Sequence, residues 1–216
     1  MALNIDGTTG ISGVDGSVSA PALTGTDSNT GITFPSADTI KFATGGVERM
    51  SITNSGVTGI TAGITMFDQY RLTTSFTGAA EPISSNIERV DTHSPAFIGS
   101  AMSVSSGIFT FPSTGMYEVS FHLKGLISGD SRFHLANLMV TTDGTNFTKA
   151  AGGANSYYNG GGNVLSSCVS KVFFDVTDTS THKVKFHVVV NSSSTQTSGD
   201  TDINKTFFTF KRIGDT

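Results

Sequence analysis

Apolar and polar side chains alternate along residues 115–123. Tyr117, Val119, Phe121 and Leu123 would share one face of an extended strand, and the residues between them would share the other face. A period of two is typical of a strand in a sheet with one buried side. This segment therefore predicts a β-strand whose aromatic face is turned towards a core.

A shorter apolar run precedes this strand and predicts a hairpin. Residues 108–111 end at Pro112, and Gly115 follows three positions later. Proline and glycine at this spacing are typical of a turn between strands. We therefore predict that residues 108–124 form two strands connected by this turn.

Further strand-like segments follow one another through the last two thirds of the chain, and turn residues such as the Asp-Gly at 143–144 lie between them. No helical periodicity is present. About eight strands joined by turns predict an all-β antiparallel sandwich or jelly roll for residues 65–216. The other candidate strands are residues 67–76, 83–90, 97–104, 132–142, 164–176, 183–190 and 207–213.

Residues 1–64 have a different character. They are rich in Gly and Thr, and glycine repeatedly stands before a β-branched residue. Residues 40–43 and 47–52 predict a hairpin around the turn at 44–46. Large apolar residues are too few for an independent core, so a disordered tail is one interpretation. The other, which we favour, is a β stalk that is ordered by oligomerisation or by docking on a larger body.

Two strands carry apolar side chains on both faces. In residues 207–210 the rings of Phe207, Phe208 and Phe210 fall on both sides, and residues 133–140 show the same property. A strand that is apolar on both faces must be covered on both. The opposite sheet covers one face, and a second subunit would cover the other, which predicts a homo-oligomer.

Composition narrows the classes of function. The net charge of −4 argues against nucleic-acid binding. No apolar run approaches the roughly 20 residues that span a bilayer, so membrane insertion is not predicted. Cys168 is the single cysteine and excludes an intramolecular disulfide. Neither a nucleophile elbow nor a phosphate-binding loop is present, so we predict a protein that is not an enzyme and has no catalytic residues.

Two features are candidates for binding. Tyr157, Tyr158 and Asn159 precede three glycines, and aromatic, Asn- and Gly-rich loops suit contact with sugars or proteins. The acidic groups at 175–178 and 200–202 have the oxygen ligands that calcium prefers. Such spacings are also common in turns, so no cofactor or metal site is predicted, and calcium is kept as an alternative.

Residues 109–121 resemble the Phe-x-x-Pro-x-x-Gly-x-Tyr stretch in the globular heads of complement component one-q. Those heads share a jelly roll with the tumour necrosis factor superfamily. The resemblance implies a homotrimer whose inner sheets meet around a three-fold axis. It also implies an aromatic framework of core and trimer residues, which in this chain is Phe109, Phe111, Tyr117, Phe121, Phe207, Phe208 and Phe210.

Four phrases also resemble structural proteins of tailed phages that infect marine bacteria, including cyanobacteria. They are residues 21–35, 68–76, 86–91 and 208–216. This resemblance implies a virion protein that is assembled in the host cytoplasm. Residues 1–64 would attach to other virion proteins, and the jelly-roll head at 65–216 would be displayed.

Together these observations predict a trimeric fibre or surface appendage whose head binds a host-surface glycan or protein. Three weak contacts on one rigid head would act together, so that avidity exceeds any single affinity. The alternative is a capsid-decorating or adaptor protein that contacts only other virion proteins and has no receptor role.

Overall fold

The computed structural model describes residues 4–6, 10–12, 15–59, 63–93, 97–158 and 162–216, and these residues form strands and connections without a helix. Accordingly, none of them forms a helix that could cross a membrane. The chain divides into two units, Met1–Gly63 and Ile64–Thr216. The prediction from sequence had placed this division after residue 64.

The N-terminal unit is built mainly on one antiparallel sheet, in which β5 to β9 follow each other in chain order. Two short pairs, β1 with β2 and β3 with β4, precede it. The strands of this unit are β1 (Asn4–Asp6), β2 (Gly10–Ser12), β3 (Gly16–Ser17), β4 (Ala20–Pro21), β5 (Leu23–Thr24), β6 (Gly31–Ser36), β7 (Thr39–Thr44), β8 (Val47–Thr53) and β9 (Gly56–Thr58).

The hairpin predicted in this unit is confirmed. Strands β7 and β8 pair with Ile40 opposite Ile52 and Phe42 opposite Met50. Gly45 and Gly46 make the turn with φ angles of 61° and 73°. Both angles lie in the left-handed region, where glycine has no steric penalty.

The C-terminal unit, called the head below, contains two antiparallel sheets. Its strands are β10 (Met66–Leu72), β11 (Phe76–Thr77), β12 (Ile87–Arg89), β13 (Phe97–Ile98), β14 (Ser103–Ser105), β15 (Ile108–Thr110), β16 (Gly115–Ser128), β17 (Ser131–Thr141), β18 (Thr148–Tyr157), β19 (Asn163–Val176), β20 (Lys183–Val190), β21 (Gln196–Thr197) and β22 (Phe207–Gly214).

The larger sheet has the order β11-β21-β16-β22-β10-β12, with β13 also paired to β10 and β19 also paired to β16. The smaller sheet has the order β14-β15-β20-β17-β18. The chain crosses repeatedly from one sheet to the other, as in a jelly roll. The all-β jelly-roll prediction is therefore confirmed.

The predicted pairing across Pro112 and Gly115 is wrong. Strand β15 pairs with β14 and β20 in the smaller sheet, whereas β16 pairs with β19, β21 and β22 in the larger sheet. The turn is therefore a corner between the sheets. The alternation of apolar residues cannot distinguish a hairpin within one sheet from a corner between two sheets, because both arrangements turn Phe109 and Tyr117 towards the same core.

Several predicted strands are shorter in the structure. The segment at 67–76 is a strand only to Leu72, and β11 follows separately. The segment at 83–90 is reduced to β12, and the segment at 97–104 is divided between β13 and β14. Irregular loops with turn residues interrupt these stretches, and hydrophobic periodicity does not report such interruptions.

Strand β18 was not predicted, because Thr148–Tyr157 is rich in glycine and alanine. Those small residues lie where the edges of the two sheets approach each other. A Cβ atom at Gly153 would lie 2.7 Å from the carbonyl oxygen of Val169 in β19. Glycine is therefore required for the contact that closes this side of the sandwich.

Aromatic rings from both sheets interlock in the core. Phe109 of the smaller sheet packs against Phe210 of the larger sheet with ring centroids 4.9 Å apart. Phe186 of the smaller sheet stacks on Phe208 of the larger sheet at 4.3 Å. Paired rings contribute beyond their buried area, so this cluster joins the two sheets.

Candidate functional site

Six of the seven framework residues lie inside a single subunit. Their exposed fractions do not exceed 2%, so they form the intramolecular core and cannot contact another chain directly. These residues are Phe109, Phe111, Tyr117, Phe121, Phe208 and Phe210. Phe207 differs, because it is half-buried on the opposite face of β22. The prediction of rings on both faces of this strand is confirmed, and Phe207 is the ring on the outward face.

The outward face of the larger sheet carries a row of exposed apolar side chains on β19. Leu165, Val169 and Phe173 are 61%, 48% and 61% exposed. They alternate with the core-facing residues of the same strand. At about 3.3 Å per residue the row extends for roughly 26 Å. Ser167 and Lys171 stand between these side chains on the same face, so one hydroxyl and one charged group interrupt the row. Three large exposed apolar side chains on one strand are nevertheless typical of an interaction surface, and we call Leu165, Val169 and Phe173 the β19 row.

The register extends this surface across the sheet. Val169 lies opposite His122 of β16, and His122 lies opposite Phe207 of β22. The imidazole of His122 stacks on the ring of Phe207 with centroids 4.2 Å apart and planes 5° apart. The β19 row therefore continues into a flat aromatic platform on the same face.

A charged group borders the row near Phe173. Glu118, which lies opposite Phe173, contacts Lys211 at 3.0 Å and Lys171 at 3.4 Å. The hydrogen bond from Lys211, together with the charge of Lys171, keeps the pKa of Glu118 below its usual value. The carboxylate is thus neutralised locally, which lowers the cost of covering this part of the face.

The sequence itself contains a signal for the β19 row. Residues 164–176 carry apolar side chains at both parities, with Val164 beside Leu165 and Val172 beside Phe173. A strand that is apolar on both faces must be covered on both, so residues 164–176 share this property with residues 207–210.

The predicted recognition loop is only partly a loop. Tyr157 is the last residue of β18 and is 4% exposed, so its assignment to an exposed loop is corrected. Tyr158 is 84% exposed. Asn159 lies outside the described residues. Tyr157 faces the interior because a buried histidine binds its hydroxyl group.

This histidine is His134 of β17, and its imidazole is fully buried. Its Nδ1 atom lies 2.9 Å from the Tyr157 hydroxyl, and its Nε2 atom lies 3.0 Å from the Thr197 hydroxyl. Gly125 of β16 packs against the pair, since a Cβ atom there would lie 2.1 Å from the Tyr157 hydroxyl. Burial lowers the pKa of His134 to about 4.

The low pKa of His134 predicts a loss of stability in mild acid. Between pH 6.5 and 4 the unfolded chain binds a proton that folded His134 excludes, so the free energy of unfolding falls as pH falls. Each pKa unit corresponds to about 1.4 kcal/mol, which gives a loss of roughly 3 kcal/mol over the window. Urea unfolding at fixed protein concentration between pH 7 and 5 measures the upper part of this slope.

The control is His134→Gln, whose amide can still bond both hydroxyl groups. Burial also lowers the pKa values of His122 and His187. These two histidines therefore lower the free energy of unfolding in acid in both the wild-type protein and the variant. The variant should therefore keep part of the slope and lose the part due to His134. Equal slopes in the two proteins would show that His134 is not the titrating group.

The acidic groups that were weighed as calcium ligands have structural partners or lie on exposed surface. Asp178 accepts hydrogen bonds from the amide and hydroxyl of Ser180. Asp200 accepts bonds from the amides of Asp202 and Ile203 and pairs with a lysine. In the part of the chain that the structure describes, no group of three or more His, Cys, Asp or Glu residues could hold a metal ion.

Two of the four phrases singled out in the sequence, residues 68–76 and 86–91, meet in the structure. Residues 68–76 supply β10, residues 86–91 supply β12, and these strands pair. Buried Arg71 contacts Glu88 at 2.7 Å and Asp91 at 2.5 Å. Buried Asp68 accepts a hydrogen bond from Arg89 at 3.0 Å. The charged residues of both phrases are therefore explained by ion pairs that join the two strands.

No protein-family model matches the chain, and no curated protein matches it. Solved structures do resemble it. The structure of Eiger TNF from S. frugiperda superposes with a TM-score of 0.52 at 15% identity, covering 71% of this chain and 96% of that one. Murine APRIL at pH 5.0 gives a TM-score of 0.47 at 13% identity, covering 68% of this chain and 98% of that one. At 15% identity the likeness to Eiger TNF concerns the fold alone, and it shows that the chain contains a jelly roll of the tumour necrosis factor type.

Proposed function

We propose that the protein is a homotrimer that acts by binding and has no enzymatic activity. The observation that carries this proposal is the β19 row, in which three large apolar side chains are exposed on the outward face of the larger sheet. Complete burial of such a side chain contributes about 1.5–3 kcal/mol, so three copies that cover this face gain cohesion from it. The resemblance to complement heads supports three copies, because it implies that the inner sheets meet around a three-fold axis.

The titratable groups support a role without catalysis. Strongly shifted pKa values often mark active sites. Here the shifts have structural causes, because burial lowers the pKa of His134 and turn hydrogen bonds lower the pKa of Asp143. Burial likewise raises the pKa of Tyr157 to about 12.

We further propose that the trimer is an appendage of a phage particle. The four phrases that resemble phage structural proteins support this role, and they lie in both units. In this proposal the N-terminal unit attaches to the particle and the head is displayed at a host surface. Immunoblotting of purified particles with an antibody against the head would test it, since absence of the protein from those particles would contradict a virion role.

A decorating or adaptor protein without a receptor is the second candidate. The burial of Tyr157 favours this candidate. It leaves Tyr158 alone as the exposed aromatic residue in the described part of the predicted recognition loop, so the aromatic surface available to a receptor is smaller than predicted. Binding of the purified protein to host cells separates the candidates. Saturable binding supports the receptor role, and its absence with an intact trimer supports decoration.

Molar mass in solution tests the trimer itself. Light scattering at micromolar concentration should give three times the chain mass of 22.5 kDa. A mass of one chain at that concentration would contradict the proposal, since the β19 row would then remain exposed to water without a partner subunit.

A further inference from the structure

The two sheets of the head differ in their charged residues. The strands of the smaller sheet, β14, β15, β17, β18 and β20, contain neither aspartate nor glutamate. They do contain Arg132, Lys149, Lys183 and Lys185. Acidic residues slightly outnumber basic residues in the head as a whole, so the smaller sheet is a local region of positive charge.

The register places the three lysines on the outward face of this sheet. Lys149 lies opposite Met139, and Met139 lies opposite Lys185. Lys183 stands two positions before Lys185, and Val184 between them is fully buried in the core, so both lysines point outwards. Strand geometry separates Lys149 from Lys185 by about 10 Å and Lys183 from Lys185 by about 7 Å. We call Lys149, Lys183 and Lys185 the lysine cluster.

No carboxylate neutralises the lysine cluster. In the described part of the chain none of its three ammonium groups has a carboxylate oxygen within 4.0 Å. Four of the five lysines elsewhere in the chain do form ion pairs, namely Lys41, Lys171, Lys205 and Lys211. Like charges on one face of a sheet repel each other, and a bound anion would relieve this repulsion.

Two carboxylates border the positive region. Asp143 lies in the turn after β17 and accepts hydrogen bonds from the amide and the side chain of Asn146. Glu81 lies beside β20. Burial and the charge of Lys185 lower the pKa of His187, and the charge of Glu81 opposes them. These carboxylates limit the positive region at two of its edges.

Neighbouring side chains position the lysines and add apolar surface. The ammonium group of Lys185 lies 4.2 Å from the ring centroid of Phe147, which is a cation–π contact. The ammonium group of Lys183 donates a hydrogen bond to the hydroxyl of Thr110 at 3.2 Å. Phe147 and Met139 are half-buried. The cluster therefore combines fixed cations with apolar surface that suits the C–H face of a sugar ring.

We propose that the lysine cluster binds an acidic polysaccharide, a chain of sugars that carries carboxylate or sulfate groups. Lysine presents a compact point charge that pairs with either group. This inference rests on the proposed display of the head at a host surface. In the proposed trimer the other subunits cover the outward face of the larger sheet, so the outward face of the smaller sheet remains available for this contact.

Nucleic acid suits this face less well. A duplex carries one negative charge per about 1.7 Å of its axis and requires cations all along the contact. The lysine cluster offers three cations within about 10 Å, and the bordering carboxylates would repel the phosphates beyond them. A polysaccharide with one acidic group in every one or two sugars places fewer charges on the same area.

Binding of the full-length protein to immobilised dextran sulfate and polygalacturonate tests the proposal, with neutral dextran as the blank. We expect binding to at least one acidic polymer and weakening of that binding by salt. A variant that carries Lys149→Gln, Lys183→Gln and Lys185→Gln should bind roughly 10-fold more weakly or worse, because three ionic contacts are lost. Circular dichroism and light scattering check that its fold and molar mass are unchanged.

A charge-matched variant is the control. Lys41→Gln, Arg49→Gln and Lys205→Gln together remove the same number of positive charges outside the lysine cluster. This variant should bind within about 2-fold of the wild-type protein, because distant exposed charges are largely screened. Equal weakening in the two variants, or wild-type affinity in the cluster variant, would overturn the proposal. Tighter binding of a single-stranded oligonucleotide than of either acidic polymer would assign the face to nucleic acid and would also overturn it.

The outcomes separate this inference from the proposed function. A trimer that binds neither acidic polymer overturns the polysaccharide site and leaves the trimer standing. A monomer that binds through the lysine cluster refutes the trimer and supports the site. If the cluster variant still binds host cells as tightly as the wild-type protein, the receptor role is retained and the lysine cluster is not its site.

Discussion

Replacing Phe173 with aspartate should dissociate the proposed trimer while leaving the head folded. Phe173 is 61% exposed in the single chain, so the substitution leaves the core unchanged. In the trimer the new carboxylate would be buried beside Glu118, which already occupies the opposite position. Loss of a large aromatic side chain at an interface hot spot costs about 2 kcal/mol or more, so we expect association to weaken by roughly 30-fold or more. Sedimentation velocity across a concentration series measures this shift.

Ile203→Asp is the matched control. Ile203 is also 61% exposed, but it lies in the segment between β21 and β22, away from the β19 row. This variant should retain the molar mass of the wild-type protein. Circular dichroism should show the same strand content in both variants. If Phe173→Asp assembles as tightly as Ile203→Asp, the β19 row is not the subunit contact.

Replacing Asp68 with alanine should cause the largest loss of stability in the head. Asp68 is fully buried in β10 and accepts hydrogen bonds from Arg89 at 3.0 Å and from the amide of Met102 at 2.8 Å. Breaking a fully buried ion pair costs about 3–5 kcal/mol. Arg89 is itself 30% exposed, so water can partly solvate the charge that remains, and the loss should lie towards the lower end of this range. The Met102 amide would also lose its acceptor. Chemical unfolding at one protein concentration gives the change directly.

Asp91→Ala provides the comparison for this variant. Asp91 also pairs with a buried arginine, Arg71, but its own side chain is 70% exposed, and Glu88 remains as a second partner. Exposed ion pairs contribute little, so the loss should stay below about 1 kcal/mol. Equal losses in the two variants would show that burial of Asp68 does not determine the strength of its ion pair.

Local patterns in the sequence predicted the strand faces well. The alternation in β16 placed Tyr117, Val119, Phe121 and Leu123 in the core, and all four are at most 1% exposed. The glycine turn between β7 and β8 was also predicted correctly, because a left-handed backbone needs glycine at that point. These features depend on neighbours along the chain, and the sequence shows those neighbours directly.

The candidate site was predicted only in part. Rings were predicted on both faces of residues 207–210, and the structure decides that Phe207 is the outer ring, stacked on His122. Leu165 and Phe173 were overlooked, although the two apolar parities of their strand were visible. The role of Tyr157 was predicted wrongly, because its hydroxyl is bound by His134, which is 23 residues away in the chain.

The order of residues alone was sufficient to establish an all-β chain, the inward and outward sides of its main strands, and the contrast between a thin front segment and an aromatic head. It could not establish that β15 and β16 belong to different sheets, or that a glycine-rich stretch is a strand. Those outcomes depend on contacts between distant segments, such as the approach of Gly153 to Val169. Strand partners and surface exposure follow from packing in three dimensions, because many pairings satisfy the same alternation and only one of them closes the core.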